Sequence, residues 1–154
     1  MGPQTVRALR KRLPDAYLDV HVGCRDPSAV VETLLADGCS SGLTFQFESC
    51  ASLDAAKALA AEIRNGGCDV GVCLAPETPI SAITPLLDDA GLVDMVDILA
   101  VAPGRGGQSF DGAAALPKLR ALREKYPDLR LQVDGGIDAS TCSCLLYTSP
   151  SPRD

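Results

Sequence analysis

The sequence lacks the long apolar run and the positive charge that would place the chain in a membrane or on nucleic acid. No stretch approaches the roughly 20 consecutive apolar residues of a membrane-spanning helix. A formal charge of −6 over 154 residues gives a negative surface field, which repels nucleic acid and anionic lipid. The basic N-terminal segment also lacks the apolar core of a secretory signal. We expect no membrane or nucleic-acid partner and a cytoplasmic location, with a plastid as the alternative if a transit peptide preceded this segment.

Paired cysteine motifs are missing as well. The seven cysteines form no CxxC pair and their number is odd, which argues against a paired zinc framework and against a complete set of disulfides. Several of them, such as Cys73, lie inside apolar runs, where a cysteine acts as a small hydrophobe. We therefore expect reduced thiols.

What the chain does contain is 46% hydrophobic residues, enough for the core of one domain, arranged as alternating strand and helix patterns. The predicted strands are 17–22, 43–47, 70–75, 95–101 and 129–133. A helix precedes the first strand, and the segments between strands carry apolar residues at helical spacing. This alternation predicts βαβ units and a parallel sheet. A doubly wound open sheet and a (β/α)₈ barrel both remain compatible with it.

Polar side chains gather toward the carboxyl ends of several predicted strands and share one face. They are Asp19, His21, Thr44, Gln46, Glu48, Gln132 and Asp134. A carboxylate or imidazole on a buried strand face is costly unless it is paired, hydrogen-bonded or bound to metal. In barrels, residues at the carboxyl ends of strands form the active site. Taken singly, His21 also fits a rim histidine with both nitrogens satisfied, and Asp134 before two glycines also fits ordinary turn chemistry.

A glycine-rich loop, residues 102–110, follows an apolar strand and precedes a helix. Its glycines leave backbone N–H groups open to an anionic ligand, and Arg105 adds positive charge. The loop lacks the GxGxxG spacing of a dinucleotide site, and the chain has no GK[ST] of a phosphate-binding P-loop. A plain flexible loop between strand and helix is the alternative interpretation.

Five short segments, taken in order, carry a family resemblance. They are LDVHV at 18–22, LTFQFE at 43–48, VGVCLAP at 70–76, VAPGRGGQ at 101–108 and QVDGG at 132–136. The series resembles the ribulose-phosphate 3-epimerase family over about residues 5–141, and PGRGGQ followed by VDGG is its most specific part. The resemblance implies a parallel α/β TIM barrel of the ribulose-phosphate-binding type. It also implies that the first two strands and the last strand are missing, with a partial barrel in 1–141 and a non-native or disordered tail in 142–154.

The function implied by the resemblance is the interconversion of D-ribulose 5-phosphate and D-xylulose 5-phosphate, in the pentose phosphate pathway or the Calvin cycle. Members of the family use a divalent metal, which here would be zinc, iron, manganese or cobalt. His21 and Asp134 match two of the residues that bind this metal in the family. Asp134 also matches the family's acid/base that abstracts or returns the proton at C3 of the sugar. The implied substrate-binding residues are His21, Gly104, Arg105, Gly106, Gly107, Asp134, Gly135 and Gly136. The full-length protein is expected to bind a small sugar phosphate and to form a homo-oligomer.

The sequence departs from the family at several positions. Gln46 replaces a usual histidine, Gly23 and Leu99 replace a pair of methionines, Ala102 replaces a glutamate and Arg105 replaces an aromatic residue. The family's second acid has no counterpart here. A second hypothesis is therefore a catalytically incomplete fragment or pseudoenzyme that binds phosphate esters or other barrel subunits. Related synthases and decarboxylases carry a DxKxxD motif, which this sequence lacks.

Overall fold

Helices and strands alternate along the chain in a computed structural model that describes residues 2–104, 106–143 and 145. The elements are α1 (Pro3–Arg12), β1 (Asp19–Val22), α2 (Pro27–Asp37), β2 (Gly42–Gln46), α3 (Leu53–Asn65), β3 (Asp69–Leu74), α4 (Thr84–Leu87), β4 (Met95–Leu99), α5 (Gly112–Lys125) and β5 (Arg130–Asp134). Short 3₁₀ turns lie at Phe47–Ser49 and Ile80–Ala82. Arg105 and most of the predicted tail lie outside the described residues, so the proposed domain division stays a prediction.

All five strands are parallel, and they lie side by side in chain order, β1-β2-β3-β4-β5. A doubly wound sheet reverses its strand order at a switch point, whereas a barrel adds each strand to the same side of the last. The described sheet has no such reversal, and it curls into a half-barrel. The predicted α/β class and the incomplete TIM barrel are confirmed.

The hydrophobic core lies between the outer face of the sheet and the helices. Phe45, Val72 and Ile98 come from three neighbouring strands and are fully buried there, together with Leu59 and Leu119 from the covering helices. Because side chains alternate along a strand, the intervening residues face the inside of the half-barrel. The apolar face therefore fixes which polar residues point inward.

Local signals explain the ends of several helices. The Ser52 side chain accepts a hydrogen bond from the Ala55 N–H at the start of α3 and so caps this helix. Gly38 ends α2 in the left-handed conformation, with φ of 60°. Asp26 occupies the N-cap of α2 but makes no side-chain capping bond, and Pro27 opens the helix instead.

Between the third and fourth predicted strands, apolar residues at helical spacing predict one helix over about 80–87. The helix in the structure is shorter. The structure has a 3₁₀ turn at Ile80–Ala82 and a single helical turn at Thr84–Leu87. Pro85 has no N–H to donate, and in a continuous helix its ring would clash with a carbonyl one turn earlier. The proline therefore divides the segment in two.

Within the described residues, none of the helices is both long enough and apolar enough to cross a bilayer.

Candidate functional site

Polar side chains from all five strands meet on the inner face of the half-barrel. Strand register aligns Gln46 with Cys73, Cys73 with Asp97, and Asp97 with Gln132. His21 and Asp134 lie on the same face of the two outermost strands, where both are exposed. Since the strands are parallel, their carboxyl ends lie at one end of the half-barrel, and the polar residues there form one site.

A cavity of about 450 Å³ opens at these carboxyl ends. Every predicted site residue that the structure describes lines it: His21, Gly104, Gly106, Gly107, Asp134, Gly135 and Gly136. Arg105, the remaining predicted residue, lies outside the described part of the chain. Gln46 and Leu99, two of the positions that depart from the family pattern, also line the cavity. The strand ends and the glycine-rich loop are thus brought together in the described structure.

The two glycines after Asp134 let the end of β5 approach the glycine-rich loop closely. Gly135 and Gly136 both have positive φ, 110° and 69°. A Cβ on Gly136 would lie 2.7 Å from the Cα of Phe110 and closer still to its backbone nitrogen. A Cβ on Gly135 would meet the side chain of Val101. The glycines therefore hold the Asp134 backbone against the loop that lines the cavity.

We expect Gly136→Ala to lower the free energy of unfolding by about 2 kcal/mol more than Gly107→Ala. Both residues have positive φ, but an alanine at Gly107 would find nothing within 4 Å, whereas one at Gly136 would collide with the Phe110 backbone. Urea unfolding of the two variants and the unchanged chain measures the difference. Equal losses would show that the loop does not pack against Gly136.

Asp97 is a buried carboxylate that the sequence analysis missed. It is 1% exposed, and its Oδ1 has no hydrogen-bond partner in the described part of the chain. Its Oδ2 accepts a hydrogen bond from Cys73 Sγ at 3.5 Å. The pKa of Asp97 is raised to about 6, because burial disfavours the charged form more than the Cys73 hydrogen bond and the His21 charge favour it. Asp97 is therefore an unfavourably buried carboxyl group, and it lies beside the predicted site residues.

Cys73 is fully buried, as expected for a cysteine in an apolar run, but its thiol donates a hydrogen bond to the Asp97 carboxyl group. Burial and the neighbouring Asp97 carboxylate both raise the pKa of Cys73. One signal in the sequence could have identified this pair. Cys73 and Asp97 occupy the same strand face as Gln46 and Asp134, a relation that becomes visible once the strands are aligned.

His21, Cys73 and Asp97 form a group that could hold a metal ion. Each offers one ligand atom, and these atoms lie within 4.8 Å of one another. Imidazole nitrogen, thiolate sulfur and carboxylate oxygen suit zinc and the similar ion cobalt, and the unpartnered Asp97 oxygen is free to take up a cation. The residues present therefore fit a divalent metal. Asp134, predicted as the second ligand, is not part of this group but lines the adjoining cavity.

A second network fixes the wall of the cavity beside Gln46. The Gln46 amide donates to Glu48, whose other carboxylate oxygen accepts from the Ala75 N–H at 2.9 Å. Burial acts to raise the pKa of Glu48, but hydrogen bonds from Thr78, Gln46 and Ala75 outweigh it and hold the pKa below its usual value. Lys118 donates to the carbonyls of Ala75, Pro76 and Thr78. These bonds anchor the loop after β3 and orient the Gln46 side chain.

Comparison with known proteins agrees with this arrangement. A model of the ribulose-phosphate 3 epimerase family matches residues 1–148. The cytoplasmic isoform of ribulose-phosphate 3-epimerase from Oryza sativa subsp. japonica is 40% identical over 141 residues, which cover 92% of this chain and 60% of the rice protein. The Schizosaccharomyces pombe enzyme is 34% identical, covering 92% of this chain and 59% of its own length, and the Escherichia coli K12 enzyme is 33% identical, covering 89% and 59%.

The chain spans about 60% of the length of the curated relatives that it matches. The family match takes in β1 to β5, including the strand ends and loops that line the cavity. The resemblance found in the five ordered motifs is thereby confirmed, and the chain belongs to the ribulose-phosphate 3-epimerase family.

Proposed function

We propose that the protein of which this chain forms the matched part interconverts D-ribulose 5-phosphate and D-xylulose 5-phosphate. The observation that carries the proposal is the single cavity lined by His21, Asp134 and the glycine-rich loop. Support also comes from the relatives, which are named ribulose-phosphate 3-epimerase. A cavity of about 450 Å³ is large enough for a small sugar phosphate. The pentose phosphate pathway or the Calvin cycle would supply such a substrate.

Asp134 is proposed to abstract or return the proton at C3 of the sugar. Its exposed carboxylate lies at the carboxyl end of β5, where the Gly135 and Gly136 backbone holds it at the cavity. Inverting a carbon centre requires one group on each face, one to take the proton and one to give a proton back. We place the second acid in the part of the relatives' length that this chain does not cover.

Other groups at the cavity are proposed to bind and orient the substrate. Backbone N–H groups of Gly104, Gly106 and Gly107 can approach its oxygens without obstruction by a Cβ. Gln46, held by Glu48, can hydrogen-bond a hydroxyl group.

His21 is proposed as a ligand of a divalent metal, with Asp134 as the second ligand that the resemblance implies. Such an ion, when bound, would polarise the ketone and stabilise the negative charge that develops as the C3 proton leaves. Zinc, iron, manganese and cobalt all remain candidates for this role. The imidazole of His21 is exposed at the cavity and so can reach an ion there.

A chimaera tests the proposal. The matched part of this chain replaces the corresponding part of the rice enzyme, of whose length the match covers 60%, and the rice enzyme supplies the rest. We expect the folded chimaera to convert D-ribulose 5-phosphate to D-xylulose 5-phosphate and to lose this activity on treatment with a chelator. The chain alone serves as the control, and we expect it to give no turnover since it lacks the second acid. A chimaera that folds, as judged by circular dichroism, but gives no product would contradict the proposal.

A further inference from the structure

We propose that His21, Cys73 and Asp97 form a transition-metal site that lies deeper in the half-barrel than the predicted pair His21 and Asp134. The inference rests on the proposed function only in taking His21 as a metal ligand. It concerns metal binding to this chain, which can be measured without any enzyme activity. Asp134 lines the adjoining cavity and keeps the roles given to it in the proposed function.

The three side chains come from three different strands, so their positions are set by the sheet and not by a flexible loop. Cys73 of β3 is the register partner of Asp97 of β4, and both point to the inner face. His21 of β1 reaches toward them, and all three ligand atoms lie within 4.8 Å of one another. Sites built on strands hold their geometry better than sites built on loops.

The spacing of two of the ligand atoms already matches that around a tetrahedral ion. Cys73 Sγ and Asp97 Oδ2 are 3.5 Å apart. Bonds of about 2.3 Å to sulfur and about 2.0 Å to oxygen, at a tetrahedral angle, place those two atoms about 3.5 Å apart. His21, the exposed member of the group, supplies the third ligand atom, which lies within 4.8 Å of the other two. The fourth position would face the cavity that His21 lines.

Burial and charge also favour a cation at this point. Asp97 is 1% exposed and Cys73 is fully buried, yet Asp97 Oδ1 has no hydrogen-bond partner within the described ranges. A buried carboxylate with an unpartnered oxygen is costly, and a proton or a bound cation removes that cost. A divalent ion with one thiolate, one carboxylate and one neutral imidazole leaves no net charge. On binding, the Cys73 thiol releases its proton to solvent.

The donor set predicts which ions bind. Thiolate and imidazole favour zinc and cobalt, whereas magnesium and calcium prefer oxygen ligands and keep several waters. We therefore expect zinc and cobalt to bind this chain tightly and at one ion per chain, and magnesium to compete poorly. Manganese, a candidate for the proposed function, should bind more weakly than zinc.

Cobalt(II) titration of the whole 154-residue chain under reducing conditions tests the site. A cobalt–thiolate bond gives a charge-transfer band in the near ultraviolet, and tetrahedral cobalt gives intense visible bands. We expect both in the unchanged chain at one equivalent, with zinc displacing the cobalt. Cys73→Ala should abolish the charge-transfer band. Asp97→Asn and His21→Gln should each weaken cobalt binding at least tenfold.

Cys68→Ala is the matched control, because Cys68 is also a buried cysteine but makes its contact with the Ser40 carbonyl, outside the group. It should leave the spectrum unchanged. Circular dichroism of each variant verifies that it is folded, and the Asp97 and His21 variants test the site even if Cys73→Ala does not fold. The inference would be overturned if the charge-transfer band persisted in Cys73→Ala or were absent from the unchanged chain. Neither result would bear on the epimerase proposal, which the chimaera tests separately.

Discussion

Asp134→Asn in the chimaera is expected to lower the turnover number by roughly a thousandfold, within the range for loss of a general acid or base. The amide has the same shape as the carboxylate but cannot take the C3 proton. The Asp134 backbone carbonyl accepts a hydrogen bond from the Ala100 N–H, which the substitution leaves in place, and the side chain that changes is exposed at the cavity. The loss should therefore fall on kcat, with KM changed by only a few-fold.

The control for this variant is Asp128→Asn. Asp128 is another exposed aspartate shortly before β5, at the opposite end of the strand from the cavity. We expect it to retain full turnover. Steady-state kinetics on both variants in the same chimaera measure the split between kcat and KM. Turnover by Asp134→Asn within threefold of the unchanged chimaera would show that Asp134 does not move the proton.

Asp97 is expected to make the metal-free chain less stable as pH rises. Its folded pKa of about 6 lies above its ordinary value of 3.8, so the folded state holds the proton more tightly than the unfolded state. Stability from this group is full below about pH 4 and is lost as pH rises through 6, which amounts to about 3 kcal/mol over the whole window. Asp97→Asn replaces this carboxyl group by an amide that does not titrate, so the variant should lose the part of the pH dependence that Asp97 causes.

Urea unfolding in the presence of a chelator, at several values between pH 4 and pH 8, measures the effect. Glu48 and Asp69 have lowered pKa values, so they contribute stability in the opposite direction, gained as pH rises. The prediction is therefore the difference between the chain and its variant: relative to the unchanged chain, Asp97→Asn should gain about 2 kcal/mol in the free energy of unfolding from pH 4 to pH 8. Parallel pH profiles for the chain and Asp97→Asn would contradict the assignment.

The pH prediction and the proposed metal site concern the same residue, Asp97. In the metal-free chain, Asp97 is a buried carboxyl group with one unpartnered oxygen, and its replacement removes the cost of burying that group. In the proposed metal site, the same carboxylate is a ligand, and its removal weakens binding. A residue that lowers the stability of the fold but serves in binding is typical of functional sites, where stability and activity make opposite demands on one side chain.

Periodicity predicted the elements of the fold well because each strand is uniformly apolar on at least its outer face. Phe45, Val72 and Ile98 alternate with inward residues, and a parallel sheet follows from the intervening helices. Periodicity did not decide between an open sheet and a barrel, because that choice depends on which strands pair. The helix near 80–87 was overestimated because apolar spacing takes no account of the break at Pro85.

The candidate site was predicted where chemistry is visible within a single segment. His21 is the chain's sole histidine and stands among apolar neighbours, and Asp134 is followed by two glycines. Asp97 was missed because it stands in a run of apolar residues that reads as one buried strand. Its partners, His21 and Cys73, are distant in sequence and meet it only through strand register and the curvature of the sheet. A group of this kind cannot be identified from one strand at a time.

Solvent exchange at C3 tests the central claim, that Asp134 moves a proton at this carbon in the cavity it shares with His21. The chimaera is incubated with D-ribulose 5-phosphate in D₂O, and deuterium in both sugar phosphates is located by NMR. We predict deuterium at C3, appearing at least as fast as D-xylulose 5-phosphate forms, and a large reduction of both rates in Asp134→Asn. Conversion without deuterium at C3, or exchange at C3 that Asp134→Asn leaves unchanged, would contradict the claim.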